Sequence, residues 1–354
     1  MARAVALFSG GLDSTLAILV LMRQGIEVTA VTFLTYFGCD ISDRSSCSKG
    51  PFSPAEKFGF EVKLYHLADK FIEIVKNPKF GHGKNMNPCI DCRILMLKEA
   101  KELMHMIDAD FIITGEVLGQ RPMSQRRETF PLIDREAGLE GYALRPLSAR
   151  LLKPTIPEQM GIVDRNRLYG FSGRSRKPQM ALAKEFGLTD YPNPAGGCLL
   201  TDPIYSYRLK ELLTYNKDPE FKDINLLKIG RHFRVSAECK VIVGRDKKEN
   251  ETLLSIAGVE DYVLKVEGYG SPITIIVGTA QEEALRLAAS FCVRYSDAKH
   301  LPFVDVSVSR DGFKYTIVAN PPQEDLLNRY RIQPLESKKR GKKIHHFLLR
   351  KGID

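Results

Sequence analysis

The sequence has no apolar run long enough to cross a bilayer. The longest near its start lies within LFSGGLDSTLAILVLM (residues 7–22) and is broken by glycine and aspartate. No signal-peptide layout precedes it, so the expectation is a cytoplasmic protein with no membrane partner. Tryptophan is absent, which excludes nothing by itself. No internal repeat is found, which sets aside a repeat architecture. Cysteine is scarce and odd in number, seven in 354 residues. In a reducing compartment that argues against a disulfide framework and for metal or redox chemistry. Acidic residues are outnumbered: 43 Asp and Glu face 52 Lys and Arg, a net charge of +9 that favours a polyanionic partner. What remains is 44% hydrophobic, enough for a sizeable core in two or three domains.

The first two hundred residues alternate short apolar runs (3–8, 27–34, 61–66, 110–114) with helical patterns (13–24, 53–58, 94–106). Such alternation predicts βαβ units, hence an α/β domain whose parallel sheet carries helices on both faces. Residues 36–56, with Cys39 and Cys47, read as a loop or short helix. Residues 115–150, rich in arginine, read as loops at the carboxyl edge of the sheet followed by a last strand at 142–147. Residues 178–187 read as a helix, with proline near its start and glycine after its end. A boundary falls near 203–225. Beyond it the texture changes to strands and turns of a smaller α+β domain, with Arg310-Asp311-Gly312 as a hairpin signal. The expected domains are 1–204 and 205–335, followed by a basic tail, 336–354.

Within the opening stretch, Ala4–Phe8 reads as a buried strand and Leu16–Leu21 as a buried helix. Ser9-Gly10-Gly11-Leu12-Asp13-Ser14 is the turn between them. A strand, a glycine-rich turn and a helix N-terminus together make an anion site, because free backbone N–H groups and the positive end of the helix dipole converge there. The bland alternative is a tight turn with a Ser/Asp helix cap. No Gly-Lys-Ser/Thr follows, so this is not a Walker loop. The hexapeptide resembles the SGGxDS loop of the PP-loop ATP pyrophosphatases, the adenine nucleotide α-hydrolase-like fold. Those enzymes split ATP between its α and β phosphates and pass AMP to an acceptor oxygen. The resemblance implies ATP and Mg²⁺ as cofactors. Ser9, Gly10, Gly11, Asp13, Ser14 and Thr15 would bind ATP, with Asp13 holding Mg²⁺.

NPCIDCRILMLKEA (87–100) places Cys89-x-x-Cys92 at the start of a helix, where thiols suit metal ligation or sulfur transfer. The segment looks like its equivalent in PP-loop tRNA thiolation enzymes, the 2-thiouridine, 2-thiocytidine and 4-thiouridine synthetases. IITGEVLGQRPMSQ (112–125) fits the next step of that pattern. With it come Thr114, Gly115, Arg121 and, on the second strand, Phe33 as further ATP-site residues. ALRPLS (143–148) resembles the fifth-strand segment of the same enzymes. In NPAGGCLLTDP (193–203), Cys198 follows two glycines. Cys89, Cys92 and Cys198 do not complete a zinc tetrahedron from cysteine alone. Three thiolates do match the iron–sulfur-dependent branch of tRNA thiolases, in which a [4Fe–4S] cluster keeps one open iron. Zinc and a persulfide remain alternatives, as does Cys198 as a small buried hydrophobe. Cys39 and Cys47 read as unlinked cysteines or a second thiol pair, and Cys239 and Cys292 as core.

The first domain begins at the N-terminus, so it is expected to lack the N-terminal RNA-binding extension of 4-thiouridine enzymes. LLKIGRHFRVSAECKVIVGRDKKENETLL, from 226, resembles the RNA-binding module of NFACT proteins. The resemblance implies a phosphate-facing surface of His232, Arg234, Lys240, Arg245, Lys247 and Lys248. The tail adds Lys338, Lys339, Arg340, Lys342 and Lys343 as an RNA-binding arm. Either set also reads as a solvated basic face. Arginines and lysines around 121–127, with Arg145, are expected to neutralise the leaving phosphates.

The expected function is therefore an ATP-dependent RNA sulfurtransferase. A nucleobase carbonyl is adenylated and its oxygen replaced by sulfur, with Asp13, Cys89, Cys92 and Cys198 catalytic. Its partners would be tRNA or another RNA, and a sulfur donor, either a cysteine desulfurase or sulfide. A homodimer is compatible with this reading. The rivals are a PP-loop ligase or amidase acting on a small molecule, and a ribosome- or RNA-associated factor with a degenerate ATP domain.

Overall fold

The computed structural model describes residues 1–37, 52–192 and 198–334. Cys39, Cys47, the two glycines before Cys198 and the tail cations Lys338, Lys339, Arg340, Lys342 and Lys343 lie outside the described residues. The chain divides into two compact units, Met1–Ser206 and Tyr207–Asp354. Among the described residues no helix is long and apolar enough to cross a membrane.

The first unit is built on strands β1 (Arg3–Leu7), β2 (Glu27–Leu34), β3 (Glu61–His66), β4 (Phe111–Thr114) and β5 (Ala143–Leu144). All pair in parallel, in the order β3-β2-β1-β4-β5. Helices α1 (Leu12–Met22), α2 (Phe52–Phe58), α3 (Ala68–Lys76), α4 (Cys89–Met106), α5 (Thr129–Glu136), α6 (Ile156–Gln159) and α7 (Lys177–Glu185) connect or cover them, and α8 (Pro203–Tyr215) follows. The central strands β1 and β4 read as nearly continuous apolar runs because both faces of the sheet are covered there, whereas the edge strand β3 keeps polar residues. Ala4 and Ala6 of β1 pack with Leu16 of α1 and Leu182 of α7. Their neighbours Val5 and Leu7 pack on the other face with Leu97 and Leu103 of α4 and Ile133 of α5. The order reverses direction at β1, whose neighbours are β2 and β4. In open α/β sheets ligands bind outside the carboxyl ends of the strands at such a switch point.

Helices that the expectation did not include are found, α5 and α3 among them. Residues 115–150 are not all loop: α5 forms there, turning Phe130 and Ile133 inward. Its apolar face is only two side chains wide, so its periodicity is faint. Helix α3 was likewise unread, although Phe71, Ile72 and Val75 give it a buried stripe. The last strand is shorter than 142–147, since only Ala143 and Leu144 pair with β4.

The second unit carries α9 (Phe221–Leu226), β6 (Arg231–Arg234), β7 (Cys239–Val243), α10 (Lys247–Ile256), β8 (Tyr262–Val266), β9 (Thr274–Gly278), α11 (Glu282–Arg294), β10 (Val304–Arg310), β11 (Phe313–Ala319) and α12 (Glu324–Tyr330). Its sheet runs β11-β10-β8-β9-β7-β6, each adjacent pair antiparallel. Helix α11 packs Ala288, Ala289, Phe291 and Cys292 against Val241, Leu264, Val306 and Val308 in one core. Cys239 and Cys292 are both buried there, as expected of core cysteines.

Arg145 is the main polar cross-link inside the first unit. It sits one residue beyond β5 and is buried with its guanidinium 4.1 Å from the centre of the Phe130 ring. It holds Asp134 of α5 through two hydrogen bonds of 2.9 and 2.8 Å and donates Nε to Glu116 at 3.2 Å. Burial pushes the Asp134 carboxyl above its ordinary range, and Arg145 opposes that rise. Arg145→Met would leave the Asp134 carboxylate without its cation and the buried Glu116 with Arg93 alone. It should lower stability by about 3–5 kcal/mol, read as a shifted urea midpoint, and a midpoint equal to wild type would contradict this role.

Candidate nucleotide and thiol site

The Ser9–Ser14 turn lies at the carboxyl end of β1 and runs straight into α1, whose N-cap is Gly11. Gly10 adopts φ 69°, a left-handed conformation that glycine takes without the steric cost of a side chain. No side chain caps the helix. Ser14 and Thr15 instead turn their hydroxyls back on the Gly11 carbonyl, each at 3.0 Å. Ser14 Oγ also accepts from the Ser9 N–H at 3.3 Å and lies 3.2 Å from Ser9 Oγ. The capped-turn alternative therefore fails. The first N–H groups of α1 are left to an outside acceptor, the arrangement that binds phosphate. Thr15 is buried and braces the loop from inside.

Gly115, directly after β4, closes the site from the other side of the switch point. A Cβ on it would lie 2.5 Å from both Ser14 Cα and Ser14 N, and 2.7 Å from the Asp13 carbonyl carbon. Only a glycine lets β4 and α1 approach this closely. Thr114 is buried and donates its hydroxyl to Glu116 Oε2 at 3.2 Å. Phe33, at the carboxyl end of β2, meets Tyr65 edge-on with ring centres 6.2 Å apart.

Asp13 receives a hydrogen bond from Gln120 Nε2 on Oδ2 at 2.9 Å, while its buried Oδ1 has no hydrogen-bond partner. Burial pushes this carboxyl up; Gln120, Arg176, Gln179 and Arg121 pull it back. An orphaned carboxylate oxygen beside a phosphate cradle fits Mg²⁺, which takes one or two carboxylates and completes its shell with phosphate and water. Gln179 of α7 is 1% exposed, and neither of its side-chain polar atoms has a partner. Gln120, Arg176 and Gln179 were not anticipated. For Gln179 the only signal is the register of the helix at 177–185, which does not say which of its residues meets the loop, and Gln120 and Arg176 lie outside regular elements.

Two chain segments bring the three predicted cysteines together. Cys89 and Cys92 occupy the first turn of α4, where the Cys92 N–H bonds the Pro88 carbonyl at 2.8 Å. Asp91 between them accepts the N–H groups of Lys79 and Phe80, at 2.9 and 3.2 Å. The loop before α4 docks on the turn after Cys198. Met86 N–H donates to the Leu200 carbonyl at 3.2 Å, and Asn85 Nδ2 to the Thr201 carbonyl at 2.7 Å. Asn87 Nδ2 donates to Cys89 Sγ at 3.0 Å, and the Cys198 thiol donates to the Phe37 carbonyl at 3.4 Å. Burial pushes the Cys92 thiol up to about 12; Arg93 opposes this, and Cys198 and Cys89 add to it. Burial likewise pushes Cys198 up to about 11, with Cys89 adding and Arg121 opposing. The three sulfurs are thus mutual electrostatic neighbours. Among the described residues no three His, Cys, Asp or Glu side chains stand close enough to share a single metal ion.

The expected cations fare unequally. Arg121 is exposed, and its charge acts on both Asp13 and Cys198. Arg145 is corrected: its guanidinium is spent on Asp134, Glu116 and the Ala143 carbonyl, so it cannot meet a leaving phosphate. In the second unit His232 and Lys240 are corrected as well. They are 1% and 5% exposed, because both faces of β7 and its neighbours are covered. His232 Nε2 pairs with the Ile229 carbonyl at 2.7 Å, and burial pushes the Lys240 ammonium down to about 8. Arg234 is largely buried against Glu211 and lies 4.5 Å from the centre of the Tyr215 ring. Arg245 is paired with Glu249 but half exposed, and Lys247 and Lys248 are exposed.

Comparison with known proteins adds the following. Residues 1–150 match the family described as thiamine biosynthesis protein (ThiI), and residues 230–331 match the NFACT protein RNA binding domain. A tRNA-specific 2-thiouridylase of Herpetosiphon aurantiacus is 26% identical over 305 residues, covering 80% of this chain and 77% of that protein. A probable tRNA sulfurtransferase of Thermococcus kodakarensis is 29% identical over 154 residues, covering 41% of this chain and 36% of that protein. The crystal structure of a 4-thiouridine synthetase–RNA complex with bound ATP matches 53% of this chain and 41% of that one, at 20% identity and TM-score 0.37.

Gly115→Ala should separate β4 from α1 and weaken ATP binding by roughly tenfold or more, since displacements on this scale disable oriented sites. Calorimetric titration with a non-hydrolysable ATP analogue checks this, and wild-type affinity would show that the close approach is dispensable.

Proposed function

We propose that this chain, which joins a ThiI-family PP-loop domain to an NFACT RNA-binding domain, is an ATP-dependent tRNA sulfurtransferase. One observation carries the reading: Gly115 lies against the Asp13–Ser14 turn of the nucleotide loop, and Glu116, the next residue, pairs at 3.4 Å with Arg93, which adjoins Cys92. Nucleotide activation and sulfur delivery then share one edge of one sheet. The curated relatives named above, a 2-thiouridylase and a tRNA sulfurtransferase, support the same substrate class.

The chemistry follows from the groups present. The phosphates of ATP rest on the free N–H groups of α1, with Asp13 on the accompanying Mg²⁺. A carbonyl oxygen of a tRNA base attacks the α phosphorus, the bond to the β-phosphate oxygen breaks, and pyrophosphate leaves. The base is now an O-adenylate, so its former oxygen departs as part of AMP when sulfur attacks the ring carbon. Arg121 and Arg176 offset negative charge as pyrophosphate separates. The base must leave its stack to reach this edge, so an unpaired or flipped nucleotide is required.

Cys89, Cys92 and Cys198 are the sulfur-handling residues. Their donor set is soft and all-thiolate, which suits an iron–sulfur cluster. A cubane spreads its ligands over separate irons, so it does not need the tight grouping that a single ion does. Held by these three, such a group would keep one iron without a protein ligand and offer it to sulfur. The sulfur itself would come from a cysteine desulfurase or from sulfide. Arg245, Lys247, Lys248 and the cations between 338 and 343 supply phosphate contacts in the second unit and tail.

The test separates the two half-reactions. Wild-type protein with ATP, sulfide and unmodified tRNA should yield a thiolated nucleoside by mass spectrometry. Asp13→Asn should lower pyrophosphate release about a hundredfold or more. Cys198→Ala should abolish thiolation yet still release pyrophosphate in the presence of tRNA. Equal loss of both steps in Cys198→Ala would separate it from the sulfur step.

The thiol assignment has its own readout. Anaerobically reconstituted protein should be brown, with broad visible absorption, and Cys89→Ala, Cys92→Ala and Cys198→Ala should each lose most of it. A colourless wild type that still thiolates tRNA would favour a persulfide on these cysteines instead.

A further inference from the structure

The second unit carries a recess that the sequence did not suggest. It is an open surface hollow of about 430 Å³ whose lining includes Glu260, Tyr262, Arg310, Asp311, Phe313 and Tyr315. Its floor is the far end of a sheet face that is core elsewhere. Across the hairpin Val306 faces Ile317, Val308 faces Tyr315, and Arg310 faces Phe313. On the other side Val308 faces Leu264 of β8, two residues from Tyr262. Val306, Val308 and Leu264 are buried in the core that includes α11. Opposite Val308, on the edge strand, Tyr315 is 43% exposed, and one rung further out Phe313 is 76% exposed. Arg310 lies over the Tyr262 ring at 4.5 Å and donates Nη1 to its hydroxyl at 2.7 Å. The Asp311 N–H bonds the Val259 carbonyl at 3.1 Å, which ties the hairpin turn to the loop before β8 and fixes the rim.

We infer that this recess takes an unpaired RNA base, stacked on Phe313 and Tyr315 beside Arg310. The inference rests on the RNA-directed reading above and names where the second unit meets its ligand. An exposed pair of aromatic rings beside an arginine fits a flat, π-faced partner better than it fits an aliphatic helix. The recess is too small for a duplex and of the size that holds one small planar group. Glu260 and Asp311 on the rim are hydrogen-bond acceptors for base amino and imino groups, and they disfavour a bare phosphate. This face is separate from Lys247 and Lys248 on α10, so it adds stacking to phosphate contact.

The experiment uses full-length protein, a fluorescein-labelled oligouridylate and unmodified tRNA, titrated at several salt concentrations. Phe313→Ala and Tyr315→Ala alter exposed side chains, and circular dichroism verifies their folding. Each should weaken oligouridylate binding by about fivefold to a hundredfold, the range for loss of one base–aromatic stack. The salt dependence should stay as in wild type, because no phosphate contact is lost. Phe313→Trp should retain binding. Wild-type affinity in the Phe313→Ala/Tyr315→Ala double variant would overturn the base site while leaving the sulfurtransferase reading intact. Failure of the wild type itself to bind either RNA would overturn both.

Discussion

The close approach of Gly115 to the first turn of α1 is the contact on which the candidate site depends. It joins the carboxyl ends of β1 and β4 at the point where the sheet order reverses. Beside it the N-terminus of α1 is uncapped, and Ser14 and Thr15 spend their hydroxyls on Gly11. A helix start with no internal acceptor needs an outside one, and phosphate meets that need at low reorganisation cost. Everything else at the edge is placed relative to this seam. Gln120, from the loop after β4, orients Asp13, and α7 brings Gln179 and Arg176 to it.

The thiol group depends on a second, softer constraint. The sulfurs are gathered by backbone and amide hydrogen bonds between the loop before α4 and the turn after Cys198. Arg93, next in sequence to Cys92, reaches Glu116 at 3.4 Å. Glu116 is in turn held by the buried Arg145. The helix that carries the CxxC pair is thereby tied to the segment that closes the nucleotide loop. The candidate thiol site and the nucleotide loop therefore share scaffolding.

Much of this was legible in the sequence, and the limits have physical reasons. SGGLDS announced strand, turn and helix because each residue has a local job. Short apolar runs alternating with helical patterns announced a parallel sheet covered on both faces. The CxxC pair and Cys198 stood out by spacing and chemistry. What was not legible depends on tertiary burial. Lys240 and His232 look like phosphate contacts in a row of charges, yet both lie inside, since CKVIV of β7 is covered on both sides. Arg145 looked available and is instead a structural cation. Gln179 meets the loop only through the packing of α7, which no local pattern encodes. The aromatic rung at the end of β10 and β11 reads in sequence as ordinary alternation. Only the sheet register shows that its outer members carry the core face into solvent.

The central claim is that the base oxygen, not a water or a protein carboxylate, is the group adenylated and discarded. The direct measurement uses tRNA transcripts whose uridine or cytidine carbonyls carry heavy-isotope oxygen. These are incubated with the protein, ATP and sulfide, and the AMP is then analysed by mass spectrometry. The account predicts that AMP acquires one heavy oxygen for each base thiolated. Thiolation accompanied by unlabelled AMP would contradict it.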